Sequence, residues 1–269
     1  MRPELISVIV ATYNWPQALD SVLAGLARQT WRKAEVIVAD DGSRPDTAIV
    51  VQLWKERLGL PLVHAWQPDE GFRLSRVRNL AASMASGDYL VFIDGDCIPP
   101  ATFLEDHARL AKRGCFTGGR RAFLSPDATA AILDHRLDPA QAGPDDFIKR
   151  SHAGRRRRLP LGPLRRMRPL TWKQVEGCNM AVWRDDFLRV GGFDEAFREY
   201  GHEDVDFALR LMRSGLKGVW ATYAATLLHL DHGRGTVGAD SEAALARIFA
   251  EDRVRPVRSL FTEAVERAA

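Results

Sequence analysis

The sequence has no apolar run near the ~18 residues that mark a membrane-spanning helix, so no membrane-spanning helix is expected in it. Its three cysteines, Cys97, Cys115 and Cys178, lie far apart with no Cys-x-x-Cys spacing. A zinc cluster or disulfide framework is therefore not expected, and a reducing cytosolic compartment fits best. The segment Met1-Arg2-Pro3-Glu4-Leu5-Ile6-Ser7 lacks a signal-peptide pattern, because the apolar stretch that follows it is too short. No glycine-rich phosphate loop follows the first apolar run, where Thr12-Tyr13-Asn14-Trp15 stands instead. That argues against P-loop enzymes, dinucleotide-binding dehydrogenases and nucleotidyltransferases. There are no internal repeats.

What is present is ordinary in bulk. The 269 residues are 46% hydrophobic and 27% charged, with a net charge of +3. That length holds one large domain or two small ones sharing a core.

The pattern along the chain is more telling. Apolar runs at Ile6–Ala11, Glu35–Ala39, Leu60–Trp66 and Tyr89–Ile93 read as buried strands. Helical patterns alternate with them, one starting at Pro16, then Thr47 to Leu58 and Leu74 to Ala85. Strand–helix alternation of this kind predicts βαβ units and a parallel sheet. Three strand ends carry polar clusters: Thr12-Tyr13-Asn14, Asp40-Asp41-Gly42-Ser43 and Asp94-Gly95-Asp96. Neighbouring strands would bring those clusters to one crevice at the carboxyl edge, where such sheets bind ligands.

Asp94-Gly95-Asp96 places two carboxylates one residue apart at such an edge. They can share one hard divalent cation that also binds phosphate oxygens. Around the helix before that strand sit Arg73, Arg76, Arg78 and Asn79. Arginine forks bind phosphate bidentately, so Arg78-Asn79 is expected to face the crevice, with Arg76 on a solvated face. A second acidic centre, Gly201-His202-Glu203-Asp204-Val205-Asp206, opens a helix expected over Glu203 to Ser214. One or two of its acids serve as caps and dipole complements. A third cluster, His229-Leu230-Asp231-His232, closes a strand-like stretch from Val219 to Leu230, and an imidazole there can complete a metal site.

Taken together, these segments resemble a family 2 glycosyltransferase. The residues carrying the likeness are Ser7-Val8-Ile9-Val10-Ala11-Thr12-Tyr13-Asn14, Val38-Ala39-Asp40-Asp41-Gly42-Ser43, Val77-Arg78-Asn79-Leu80-Ala81 and Phe92-Ile93-Asp94-Gly95-Asp96. The second half resembles the galactosyltransferase-like region of chondroitin-polymerase and β-1,4-galactosyltransferase types, through Gly177-Cys178-Asn179-Met180-Ala181, Gly191-Gly192-Phe193-Asp194-Glu195-Ala196-Phe197 and Gly201-His202-Glu203-Asp204-Val205-Asp206-Phe207. The resemblance runs from about residue 5 to 235. It implies the α/β GT-A nucleotide-diphospho-sugar transferase fold, with a Rossmann-like, mostly parallel central sheet flanked by helices. It also implies a nucleotide-sugar-binding half at 1–123 and an acceptor-binding and catalytic half at 124–235; residues 236–269 read as a C-terminal tail of helical pattern, interrupted at Pro256.

The roles it implies are specific. Asp40 or Asp41 would bond the uracil of a UDP-sugar, in a pocket lined by Thr12 and Tyr13, with Asn14 beside them. Arg78, Asn79 and Gly95 would lie near the nucleotide. Asp94 and Asp96 would hold Mn²⁺ or Mg²⁺ on the diphosphate, with His229 or His232 as the further ligand. Asp204 would be the catalytic base, and Glu203 would engage the acceptor. Where the family often has a tryptophan-glycine pair before the Glu-Asp, this chain has Tyr200-Gly201-His202.

The expected reaction is therefore inverting, metal-dependent sugar transfer from a UDP-sugar to a glycan or lipid-linked saccharide, in bacterial surface polysaccharide synthesis. A non-catalytic sugar-nucleotide-binding module is the alternative, and a haloacid-dehalogenase-type phosphatase a weaker one, since Asp96 is followed by Cys97-Ile98. Lys149 to Arg168 holds nine basic residues and no acid, and reads as a loop. Lacking interleaved aromatics, it does not suit nucleic acid; it suits either a peripheral contact with an anionic membrane on the cytoplasmic side through Arg155–Arg158 or a lid over the acceptor site. Apolar residues of the tail (Leu245, Ile248, Phe249, Val257, Leu260, Phe261) are expected to pack on the body.

Overall fold

The computed structural model describes residues 2–149, 159, 170–233 and 237–261. Strands β1 (Ile6–Thr12), β2 (Ala34–Asp40), β3 (Leu62–Trp66) and β4 (Tyr89–Asp94) alternate with helices α1 (Pro16–Ala27), α2 (Pro45–Arg57) and α3 (Leu74–Ser83). Next come β5 (Cys97–Ile98), α4 (Phe103–Leu110), β6 (Cys115–Gly118), β7 (Arg120–Phe123) and α5 (Pro126–Leu133). The chain ends with β8 (Asn179–Trp183), α6 (Arg184–Arg189), α7 (Glu203–Arg213), β9 (Lys217–Trp220), β10 (Thr226–His229) and α8 (Ala239–Ala250).

Seven strands form the central sheet in the order β3-β2-β1-β4-β8-β6-β9. The four N-terminal strands pair in parallel. The next strand, β8, runs antiparallel to both β4 and β6, and β9 is parallel to β6. Helices cover both faces, and β1 and β2 are buried along their whole length, as parallel strands between two helical layers are. Alternation then assigns each residue a side. Val8, Val10, Val36, Val38, Val91 and Ile93 pack with α1, while Ile9, Ile37, Leu90 and Phe92 pack with Val77 and Ala81 of α3 and Phe207 of α7.

Register positions the site. Thr12 lies opposite Asp40, and Ala11 opposite Asp94, so β1, β2 and β4 end flush. A small second sheet, β5-β10-β7, sits beyond that edge and pairs His229 with Cys97, one residue past Asp96.

Two expectations are corrected. The stretch Val219 to Leu230 is two strands in different sheets, broken at Ala221–Ala225, where Tyr223 has φ 59°. The tail packs only in part: Ile248 is buried with Phe197 and Leu209, and Phe261 packs under α3 and α6, but Val257 is 72% exposed. Between Cys97 and Phe123 the chain adds β5, α4, β6 and β7. Arg155–Arg158 lie outside the described residues. Among the described residues no helix is long and apolar enough to cross a membrane.

Candidate active site

A cavity of about 400 Å³ opens where β1, β2 and β4 end, lined by Thr12, Tyr13, Asp41, Asp94, Gly95, Asp96 and His232, with Trp15, Phe72 and Leu74 as apolar walls. The three polar clusters therefore converge as their strand ends require. Gly95 is there because the chain passes close to β1: its N–H donates to Ala11 O at 2.6 Å, and a Cβ would lie 3.0 Å from Thr12 Oγ1. Gly42, at φ +90°, lets the β2 end pass against Asp69, whose backbone a Cβ would meet at 2.5 Å.

Of the acid pair after β2, Asp41 faces the cavity. Its carboxylate accepts from Gln67 Nε2 at 2.5 Å and from the Arg73 N–H at 2.8 Å, and burial raises its pKa. Asp40 points the other way, accepting from the Ser43 N–H and pairing with His64 Nε2 at 2.9 Å. Asn14 does not line the cavity. Held at φ 50°, it ties the β1 turn to the β2 turn by accepting from the Arg44 N–H and donating its own N–H to Ser43 Oγ. The Tyr13 hydroxyl donates to Asp69, closing one rim.

The metal-type cluster centres on Asp96. His232 Nε2 lies 3.0 Å and His229 Nε2 3.6 Å from the same oxygen, Oδ2. His232 Nδ1 bonds the Gly233 carbonyl, a contact that makes it the donor and leaves the Nε2 lone pair aimed at a carboxylate. Two acceptors so placed need a proton or a cation between them. The hydrogen bond to Asp96 raises the His232 pKa, whereas burial lowers that of His229 to about 4, leaving it neutral and able to ligate. Burial also raises Asp94. For Asp96 burial is outweighed by the two histidines and the Cys97 thiol, and its pKa is lowered.

A carboxylate met by two imidazoles in this way fits a divalent cation that prefers oxygen and nitrogen. Donor atoms of Asp96, Cys97 and His229 lie within 4.8 Å of one another. Burial pushes the Cys97 thiol up, and it donates to Asp96 Oδ1 at 3.1 Å.

Behind the cavity, Arg78 joins the two acidic centres. Its Nη2 donates to Asp94 at 2.8 Å and its Nη1 to Glu203 at 3.3 Å. Glu203 opens α7 just after His202, which has φ 68°, and burial together with the Asp204 charge raises its pKa to about 7. Asp204 is half-buried, and its Oδ2 accepts the Gly177 N–H at 2.8 Å. Asp206 is spent on structure, paired with Arg210 and Arg253.

Two of the expected nucleotide contacts, Asn14 and Asn79, are corrected: neither lines the cavity. Arg78 is 1% exposed and reaches the cavity only through Asp94. Asn79 turns away altogether: its amide donates to Phe193 O and Glu195 and accepts from the Phe193 N–H. Neighbours on a helix point ~100° apart, so one cannot follow the other into the crevice. The residues that sequence reasoning missed are Gln67 holding Asp41, Phe72 and Leu74 in the wall, and Gly177 holding Asp204, while Arg73, expected as a phosphate ligand, instead holds Asp41 through its main-chain N–H. Only the glycine carried a signal, as part of a recognised motif.

The model of glycosyl transferase family 2 matches residues 7–184. A second model, the N-terminal domain of galactosyltransferase, matches residues 165–232. Validoxylamine A glucosyltransferase of Streptomyces hygroscopicus subsp. jinggangensis (strain 5008) is 31% identical over 224 residues, which cover 79% of this chain and 52% of that protein. The chain thus spans about half the length of this relative. Mannosyltransferase PcManGT of Pyrobaculum calidifontis, solved with GDP-Man and Mn²⁺, superposes with a TM-score of 0.60 at 21% identity, over 93% of this chain and 64% of that one. S. aureus TarS 1-349, solved with UDP-GlcNAc, gives 0.64 at 17% identity, over 91% and 66%. The structural matches establish the GT-A fold, and the phosphatase alternative falls with them. By sequence and by fold, the chain belongs to glycosyl transferase family 2.

Proposed function

We propose that this protein is an inverting, metal-dependent glycosyltransferase that moves a sugar from a UDP-sugar to a hydroxyl of a glycan or lipid-linked saccharide, on the cytoplasmic side and in bacterial surface polysaccharide synthesis. One observation carries the reading. Arg78 links the Asp94-Gly95-Asp96 turn, with its two histidines, to the Glu203-Asp204 helix start, so donor and acceptor chemistry share one crevice.

Asp41 takes the base edge, and Thr12 and Tyr13 flank it. Asp94, Asp96, His229 and His232 would hold Mn²⁺ or Mg²⁺. The bound cation supplies Lewis-acid stabilisation of the departing diphosphate. Asp204, the more exposed acid of its pair, takes the acceptor hydroxyl proton as that oxygen attacks the anomeric carbon opposite the leaving group. Glu203, buried against Arg78, orients the acceptor. Donors in the related structures include both UDP-GlcNAc and GDP-Man, so the nucleobase is a test in itself.

The deciding experiment is nucleoside diphosphate release from a panel of UDP- and GDP-sugars with Mn²⁺. Turnover of a UDP-sugar supports the reading. Tight donor binding without release in the presence of acceptors makes the protein a binding module instead. For Arg155–Arg158 the test is sedimentation with anionic liposomes, where equal binding by the four-alanine variant removes the membrane contact.

A further inference from the structure

Segment 68–76 divides its side chains between two cavities. Gly71, Phe72 and Leu74 line the donor cavity, while Pro68, Glu70, Arg73 and Arg76 line a second one of about 260 Å³. Arg198, Arg258, Glu195 and Phe197 complete the second cavity.

Its charge balance is one-sided. Both of its acids are engaged: Glu70 pairs with Arg73 at 2.5 Å, and Glu195 Oε1 accepts from Asn79 Nδ2 and from the Leu260 N–H, each at 2.9 Å. Four guanidinium groups face those two carboxylates. Arg76 and Arg198 are exposed and have no ion-pair partner among the described residues. Arg73 is 7% exposed, anchored by Glu70 and the Pro68 carbonyl, and therefore fixed in place. Phe197 is buried and gives the cavity a rigid apolar wall. Converging arginines against a fixed wall suit a tetrahedral oxyanion, because each planar fork offers two parallel N–H donors.

We infer that this second cavity is a metal-independent binding site for a phosphate group, separate from the donor site. Such a phosphate comes either from a soluble phosphorylated saccharide or from a lipid headgroup. Arg73 connects the two sites: its side chain lines the second cavity, while its main-chain N–H holds Asp41 at 2.8 Å in the first. An anion bound there braces the loop that supplies Phe72 and Leu74 to the donor wall.

The test is titration of the metal-free protein, in chelator, with inorganic phosphate followed by ³¹P NMR, and in parallel with phosphatidylglycerol vesicles. The comparison variant is Arg76→Ala/Arg198→Ala, whose Mn²⁺-dependent nucleotide release should match the wild type and so report an intact fold and donor site. Saturable phosphate binding that weakens by about tenfold or more in the double variant supports the site. The same loss seen only with vesicles assigns the phosphate to lipid. Non-saturable binding, or equal binding by wild type and variant in both arms, overturns it. Donor turnover is read separately, so failure here leaves the proposed transferase activity untouched.

Discussion

Arg78 and Glu203 lie 125 residues apart in the chain and meet at 3.3 Å beneath the crevice, where the other arm of the same guanidinium holds Asp94 at 2.8 Å. A planar fork can span two carboxylates that a point charge cannot. Arg78→Lys should therefore keep the charge but lose the link, and cut turnover more than it weakens the fold. Arg78→Ala leaves two largely buried acids unpaired and should cost about 3 kcal/mol or more. Denaturant unfolding and nucleotide release, measured on both variants, check this.

Asp204→Asn keeps the shape of the side chain but cannot take a proton. Turnover should fall by ~10²–10⁴, the usual scale of general-base catalysis, with donor affinity unchanged. Retention of most of the rate, measured alongside donor binding by calorimetry, would move the base elsewhere.

His229→Ala and His232→Ala each remove one Nε2 from the Asp96 cluster. Each should raise the Mn²⁺ concentration needed for half-maximal activity by about tenfold or more, since losing one good ligand contact costs more than ~1 kcal/mol. An unchanged metal titration for either variant would remove that histidine from the ligand set.

His107 is fully buried, donates from Nε2 to Asn179 Oδ1 at 3.2 Å, and meets the Phe103 ring edge to face. Burial lowers its pKa to about 4, against ~6.5 in the unfolded chain. Between those values the unfolded state binds the extra proton, so stability rises with pH. This contribution is fully present above pH ~6.5 and is lost progressively towards pH ~4, by ~3 kcal/mol. His107→Gln should abolish it, and the stability difference between the two proteins should change with pH only in that window. A difference that stays flat from pH 4 to 7 would show that His107 does not titrate in this way.

Arg253 comes from the tail and bridges Asp194 at 2.7 Å and Asp206 at 3.0 Å, both wholly buried. It joins the glycine turn before α7 to α7 itself, which carries Asp204. Arg253→Ala should destabilise the fold by about 3–5 kcal/mol, because two buried acids lose a counter-charge. A shift in thermal midpoint of under a degree would contradict that coupling.

Much of the donor half was legible in the sequence. Buried apolar runs such as Val8-Ile9-Val10 and Val36-Ile37-Val38 can only be satisfied between two helical layers. The flush register of β1 with β2 and β4 then brings Thr12, Asp41 and Asp94 together. The strands between Cys97 and Phe123 were not legible, because they are short and their partners, β8, β9 and β10, come from far along the chain. Long-range pairing leaves no local periodicity to read.

The sequence alone determined the fold family, the parallel core and the Asp94-Gly95-Asp96 turn at a strand end. Those follow from hydrophobic period and motif order, which are local properties. Tertiary structure decided between neighbours: Asp41 rather than Asp40 in the cavity, Arg78 rather than Asn79 beside Asp94, and both His229 and His232 on one carboxylate oxygen. Adjacent side chains leave the backbone in different directions, and only the packing of distant segments shows which direction meets the site.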